Sequence, residues 1–119
     1  MLVLRPADAE ETTIAWKLAM ENVYTPTALI LSRQNIANLP DGTDYAQVAK
    51  GAYVIASADE NPDVILVASG SEVSTLVAGA ELLRKDGVKL RIVSAPSEGL
   101  FRSQDKAYQE SVLPTGAKI

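Results

Sequence analysis

The chain has 119 residues, 47% hydrophobic and 22% charged, a globular balance with enough length for a buried core. Eleven basic against fifteen acidic residues give a net charge of -4 with no basic stripe, so nucleic acid is not an expected partner. Cysteine and histidine are both absent, which excludes disulfides, thiolate nucleophiles, zinc–thiolate sites and imidazole bases, and leaves any chemistry to carboxylates, Lys, Arg, Tyr or hydroxyls.

The chain opens on a short apolar run, Leu2 to Leu4, followed by a helix start. Asp8 is a good N-cap, and Glu11 three positions on completes a D-x-x-E variant of the capping box. Glu10 and Glu11 fall in the first turn, where the helix dipole favours negative charge. Ile14, Ala15, Leu18 and Ala19 form a narrow helical stripe, with Trp16 off it as a packing residue, and the helix is expected to fade near Asn22. Thr27 to Ser32 is short, apolar and bounded by Pro26, which suits a strand buried on both faces of a parallel sheet.

Between Asn35 and Pro62 the periodicity breaks up. Pro40-Asp41-Gly42 is turn chemistry, Tyr45 to Gly51 is one helical turn, Ala52 to Ser57 a short strand, and Ala58 to Asp63 a further loop. We read 36–62 as a linker. Asp63 to Gly70 is then a buried strand, and Ser71 is placed to cap a helix carrying Val73, Leu76, Val77, Ala80 and Leu83 on one stripe. Arg84 and Lys85 lie in its last turn, with Gly87 as the stop. Val88 to Ala95 is the next strand, completing a right-handed βαβ unit of about 30 residues. Ser97 opens a helical stretch through Leu113, ended by Pro114, and another strand can begin at Ala117 to Ile119.

The fold class is therefore α/β, with two partial βαβ units of mainly parallel strands joined by a linker. Neither unit closes a core alone, so a dimer or larger assembly is expected. No apolar run approaches the ~20 residues of a membrane span, and Met1 to Pro6 is too short for a signal-peptide core. The expectation is a cytoplasmic protein without membrane contact.

One place reads as a binding site. The strand ending at Ser32 presents Ser32, Arg33, Gln34 and Asn35 in a row. Polar groups at the carboxyl end of a parallel strand face the crevice where open α/β sheets bind ligands. The arginine fork suits phosphate or carboxylate, with Ser32 and Gln34 able to assist; the plainer alternative is an arginine reaching solvent beside a surface carboxylate. The turn Ala68 to Glu72 could hold an anion on backbone N–H groups, but it lacks a phosphate-loop lysine, and Glu72 would repel one, so a helix start without ligand is the better reading. Asp8, Glu10 and Glu11 are accounted for by capping. Asp41, Asp44, Asp59, Glu60 and Asp63 do not have calcium-loop spacing and read as solvated loop charges. No residue reads as catalytic, cofactor-binding or metal-ligating.

Several stretches together resemble transketolase in order and spacing: RPAD (5–8), WKLA (16–19), PTALILSRQN (26–35), KGAYV (50–54), PDVILVASGSEV (62–73), VSAPS (93–97) and ESVLP (110–114). The resemblance implies that 1–35 is the end of the pyrimidine-binding domain, 36–62 the linker and 63–119 the first part of the C-terminal domain. It implies an enzyme moving a two-carbon ketol unit between ketose and aldose sugar phosphates in the pentose phosphate pathway, as a homodimer. Thiamine diphosphate and a divalent metal, Mg²⁺ or Ca²⁺, would be its cofactors. The family's cofactor glutamate, catalytic histidines and metal motif have no counterpart in these residues, so this chain alone is expected to be inactive and to bind neither cofactor. One role carries over: the arginine of the S-R-Q-N motif, which binds the substrate phosphate, matches Arg33. A non-catalytic α/β interaction or regulatory module is the alternative, as is another thiamine enzyme of the deoxyxylulose-phosphate synthase or dehydrogenase beta-subunit type.

Overall fold

A computed structural model of the chain describes residues 1–56 and 58–119. Strand β1 (Leu2–Leu4) leads into helix α1 (Ala9–Glu21), which returns to strand β2 (Thr27–Leu29). The two strands pair in parallel, Leu2 with Thr27, Val3 with Ala28 and Leu4 with Leu29. Asp8 caps α1 as expected, in extended conformation, with its side chain accepting from the Glu11 N–H. At the other end the Asn22 amide donates to Thr25 and Thr27, which sets where β2 begins.

After a 3₁₀ helix (Tyr45–Lys50), strand β3 (Tyr53–Val54) joins β4 (Val64–Ala68) and β5 (Leu90–Ser94) in a second sheet of order β3-β5-β4. Within it β4 and β5 run parallel and β3 antiparallel to β5. Helix α2 (Glu72–Lys85) makes the β4-to-β5 crossover; α3 (Glu98–Arg102) and α4 (Lys106–Val112) follow. The chain is thus α/β, with two βαβ units and one antiparallel strand between them. That strand falls inside the predicted Ala52–Ser57 run, whose last residue, Ser57, lies outside the described residues.

The 36–62 stretch does more than connect. Leu39, Val48, Tyr53 and Ile55 from it are buried in one cluster with Ala7 from the first unit and Val73, Ala80, Leu90 and Ile92 from the second. The cover each βαβ unit lacks comes from this middle segment. The two units also meet through backbone: Arg5 donates its N–H to the Pro96 carbonyl at 2.7 Å and accepts from the Gly70 N–H at 3.1 Å. The C-terminal tail lies along β4, with the Ile65 N–H donating to the Lys118 carbonyl at 2.8 Å.

Six expectations are corrected. The run from Asp63 to Gly70 is not a buried strand: in β4 only Ile65 is buried, and Val67 is 37% exposed. On α2 the buried stripe stops at Ala80, and Leu83 is exposed. The run Thr27 to Ser32 is not a strand buried on both faces: β2 ends at Leu29, and Ile30 and Leu31 are about half exposed, 49% and 52%. Among the described residues β2 has only β1 as a neighbour, so beyond Leu29 no element covers it. Ser71 does not cap α2; its backbone is already helical, and the chain turns instead at Gly70, φ +64°. The stretch after Ser97 is two helices, because Asp105 caps a new start by accepting from the Tyr108 N–H at 2.7 Å. Trp16 is exposed, not packed. The predicted stop of α2 holds: Gly87 at φ +81° allows Val88 to donate to Leu83 and Gly87 to Arg84, a Schellman closure.

Candidate phosphate-binding tip and its anchors

Beyond β2 the chain makes an exposed excursion. Ile30 extends the β1–β2 ladder by donating its N–H to the Leu4 carbonyl at 2.9 Å. Residues 31–35 are all exposed. The Ser32 Oγ accepts from the Gln34 N–H at 3.0 Å, a local turn that makes Arg33 the tip. Ser32, Arg33 and Gln34 therefore share one exposed turn at the carboxyl end of a parallel strand. Among the described residues Arg33 makes no ion pair; Arg5, by contrast, is spent on Glu72 at 3.2 Å. Glu72 at the start of α2 thus has a cation of its own.

The excursion ends at Leu39, which is 6% exposed and whose N–H donates to the Asp8 Oδ2 at 2.9 Å. The same oxygen accepts from the Tyr45 hydroxyl at 2.6 Å, while Oδ1 caps α1 at 2.8 Å. One turn on, Glu11 is 0% exposed. Its Oε1 accepts from the Ser94 Oγ at 2.6 Å and the Tyr53 hydroxyl at 2.8 Å, and its Oε2 from the Ala7 N–H at 2.7 Å. Burial pushes the Glu11 carboxyl above the usual range; the Ser94, Ala7 and Tyr53 donors work against that, and the Asp8 charge adds to it. Burial and the neighbouring carboxylates also push both phenols up, Tyr53 beside Glu11 and Tyr45 beside Asp8, which keeps them protonated donors.

The sequence singled out Asp8 and Glu11 only as caps. Besides the local Ala7 and Glu11 N–H donors, their partners lie 31 to 83 residues away in the chain and carry no local signal. Asp59 was likewise read as a solvated charge, yet it accepts from the Leu90 N–H at 2.8 Å and the Arg84 Nε at 3.0 Å. Those two bonds, the Leu90 one first, hold its carboxyl below the ordinary aspartate value. A depressed folded-state pKa gives stability that is present above the unfolded value and lost as pH falls through the folded one. Asp59→Asn should therefore melt earlier than the parent at pH 7, and the gap should narrow in acid. Paired urea melts at pH 7 and pH 3 check this; a gap that widens in acid contradicts it.

A cleft of about 1320 Å³ lies elsewhere, between β1, the end of α1 and α3. Val3, Val67, Leu100 and Phe101 make much of its wall, its arginines Arg5 and Arg102 are paired with Glu72 and Glu98, and Arg33 is not part of it. Among the described residues it offers no free acid–base pair. The residues also do not fit a diphosphate–metal group. Among those described, no set of three or more Asp or Glu converges on a point that could hold a metal ion, and the buried carboxylates of Asp8 and Glu11 each already accept three hydrogen bonds from donors of this chain. No described helix is long and apolar enough to cross a membrane.

The profile of the transketolase-like TK C-terminal domain matches residues 51–119. A probable transketolase of Streptococcus pneumoniae is 50% identical over 116 residues, covering 98% of this chain and 18% of that protein. A transketolase from Pichia stipitis, solved in complex with sedoheptulose-7-phosphate, superposes at TM-score 0.89 with 41% identity, over 98% of this chain and 17% of that one. A split-gene transketolase, described as an inactive beta4 tetramer, superposes at TM-score 0.66 with 26% identity over 82% of this chain and 31% of its own. The chain thus spans under a fifth of the length of the curated relative, and with a profile match over more than half its residues it belongs to the transketolase family.

Proposed function

We propose that this chain is the substrate-phosphate-holding segment of a transketolase, with Arg33 as the phosphate ligand and Ser32 and Gln34 assisting. The whole enzyme transfers a two-carbon ketol unit from a ketose phosphate to an aldose phosphate, in the cytoplasm and within the pentose phosphate pathway, as a homodimer. Residues 1–35 belong to its pyrimidine-binding domain and 63–119 to its C-terminal domain; of the stretch between them, 51–62 fall within the C-terminal profile match and go with that domain, which leaves 36–50 as the connection. Thiamine diphosphate and its divalent metal are held by parts of the enzyme other than these residues, so this chain alone turns nothing over.

The observation that carries the reading is an exposed arginine, unpaired among the described residues, at the tip of a turn closing a parallel strand. Binding a phosphate there breaks no existing ion pair, and the planar fork can meet two phosphate oxygens at once. A sugar-phosphate complex of a relative with 41% identity supports the substrate class.

In a full-length enzyme carrying this segment, Arg33→Ala should mainly raise KM for phosphorylated substrates. A charge-assisted hydrogen bond is worth roughly 1.5–3 kcal/mol, so a ten- to hundred-fold change is the scale. Arg33→Lys should recover part of it, a point charge replacing the fork. An unphosphorylated donor such as hydroxypyruvate should be nearly indifferent. Equal loss with both donors would make Arg33 structural instead.

A further inference from the structure

We infer that Asp8 is a positioning residue for Arg33, a role that rests on the phosphate-binding reading above. The exposed excursion carrying Arg33 is tied at two points. The near one, Ile30 N–H to Leu4 carbonyl, is the last rung of the β1–β2 ladder. The far one is the Leu39 N–H to the Asp8 Oδ2, 2.9 Å. Between them, among the described residues, the only hydrogen bond is the turn from the Gln34 N–H to the Ser32 Oγ.

Asp8 is itself held hard. It is 5% exposed, its Oδ1 caps α1, and its carbonyl accepts from both the N–H and the hydroxyl of Thr12, at 3.0 and 2.6 Å. Burial of the Leu39 side chain keeps that residue in the core, but apolar contact is non-directional. The hydrogen bond supplies the direction in which the backbone leaves Leu39 towards Arg33. A guanidinium six residues from this anchor depends on that direction, because a phosphate fork must meet its ligand within a fraction of an ångström. Asp8 therefore couples the start of α1 to the phosphate tip without touching substrate.

Asp8→Ser separates the two duties of the side chain. A serine keeps the N-cap bond to Glu11 but is too short to serve Leu39 as well. In the full-length enzyme it should raise KM for a phosphorylated ketose about three- to tenfold, leave hydroxypyruvate nearly unaffected and speed amide exchange at Leu39. Tyr45→Phe, which leaves the Leu39 bond intact, should change neither KM. Should Asp8→Ser fail to fold, Asp8→Thr, another N-cap residue whose hydroxyl is too short to reach Leu39 as well, takes its place, and the same readings apply. Arg33→Ala is measured beside them. If it raises KM for the phosphorylated donor while the Asp8 variants leave KM and Leu39 exchange unchanged, the positioning role is overturned and the phosphate reading stands. If Arg33→Ala itself has no effect, the phosphate reading fails and the positioning role with it, whatever the exchange shows.

Discussion

Glu11→Ala is expected to remove most of the stability of this fold. Three donors now converge on the Glu11 carboxylate: the Ser94 and Tyr53 hydroxyls and the Ala7 N–H, all in buried surroundings. Alanine leaves all three without an acceptor, and each orphaned buried donor costs about 1–3 kcal/mol. Set against a total of roughly 5–15 kcal/mol for a domain of this kind, the loss is on the scale of folding itself. Glu11→Gln should cost less, because its amide oxygen can still serve Ser94 and Tyr53, but its NH₂ then faces the Ala7 N–H. Urea melts followed by circular dichroism give the order: parent, Gln, Ala. The pH dependence is a second reading. With the folded pKa raised, this group's contribution is full below the unfolded carboxylate value and declines as pH rises through the folded one, a slope that Glu11→Gln should abolish. An alanine variant as stable as the parent would mean that the three donors find other acceptors.

Gly51→Ala should be comparably severe, for a steric reason. Gly51 closes the 3₁₀ helix with φ +86°, where an L side chain is strained. A Cβ there would also overlap the Phe101 amide nitrogen and the Ser97 carbonyl oxygen, and lie 2.8 Å from the Leu100 Cβ. Those first two atoms are backbone of α3 and its cap, and the Ser97 N–H already donates to the Gly51 carbonyl at 2.9 Å, so neither side can step back freely. Strain and displacement together should exceed about 3 kcal/mol. Gly79→Ala is the control. It lies inside α2 with nothing within 4 Å of the added carbon, and should gain about 0.5–1 kcal/mol from helix propensity. Thermal melts of the two variants should move in opposite directions; a Gly51→Ala shift as small as that of Gly79→Ala would refute the packing argument.

Local patterns carried the elements well. The Asp8 cap, the α2 stripe from Val73 to Ala80 and its Gly87 stop, and the βαβ order were all legible because each is set by residues within a few positions of one another. The misreadings share a cause. Thr27 to Ser32 and Trp16 were judged by apolarity, which says what a residue would gain from cover and nothing about whether cover arrives. The middle segment looked like a connector because its apolar residues, Leu39, Val48, Tyr53 and Ile55, keep no single period; they are buried by convergence of both units. Arg33 could be singled out because its neighbours in sequence are its neighbours in the turn. Asp8 and Glu11 could be recognised as caps by the same logic, while Tyr45, Tyr53, Leu39 and Ser94 could not be matched to them, since side-chain partners at long separation leave no spacing to read.

The bond between Glu11 and Ser94 closes a loop of 83 residues, and this has a consequence for how the chain folds during synthesis. Helix α1 leaves the ribosome with a carboxylate that belongs in the interior and waits for a hydroxyl near the end of β5. At about 5–20 residues per second that wait lasts several seconds. Until then Glu11 is better left in water than buried, so the first βαβ unit has reason to stay open while the middle segment is being made. Closure of such a long loop is entropically costly and is rewarded only when the non-local contacts form together, which places it late and makes it cooperative. By this argument the carboxylate that accepts three bonds in the finished fold should favour an open first unit until β5 exists to complete its core.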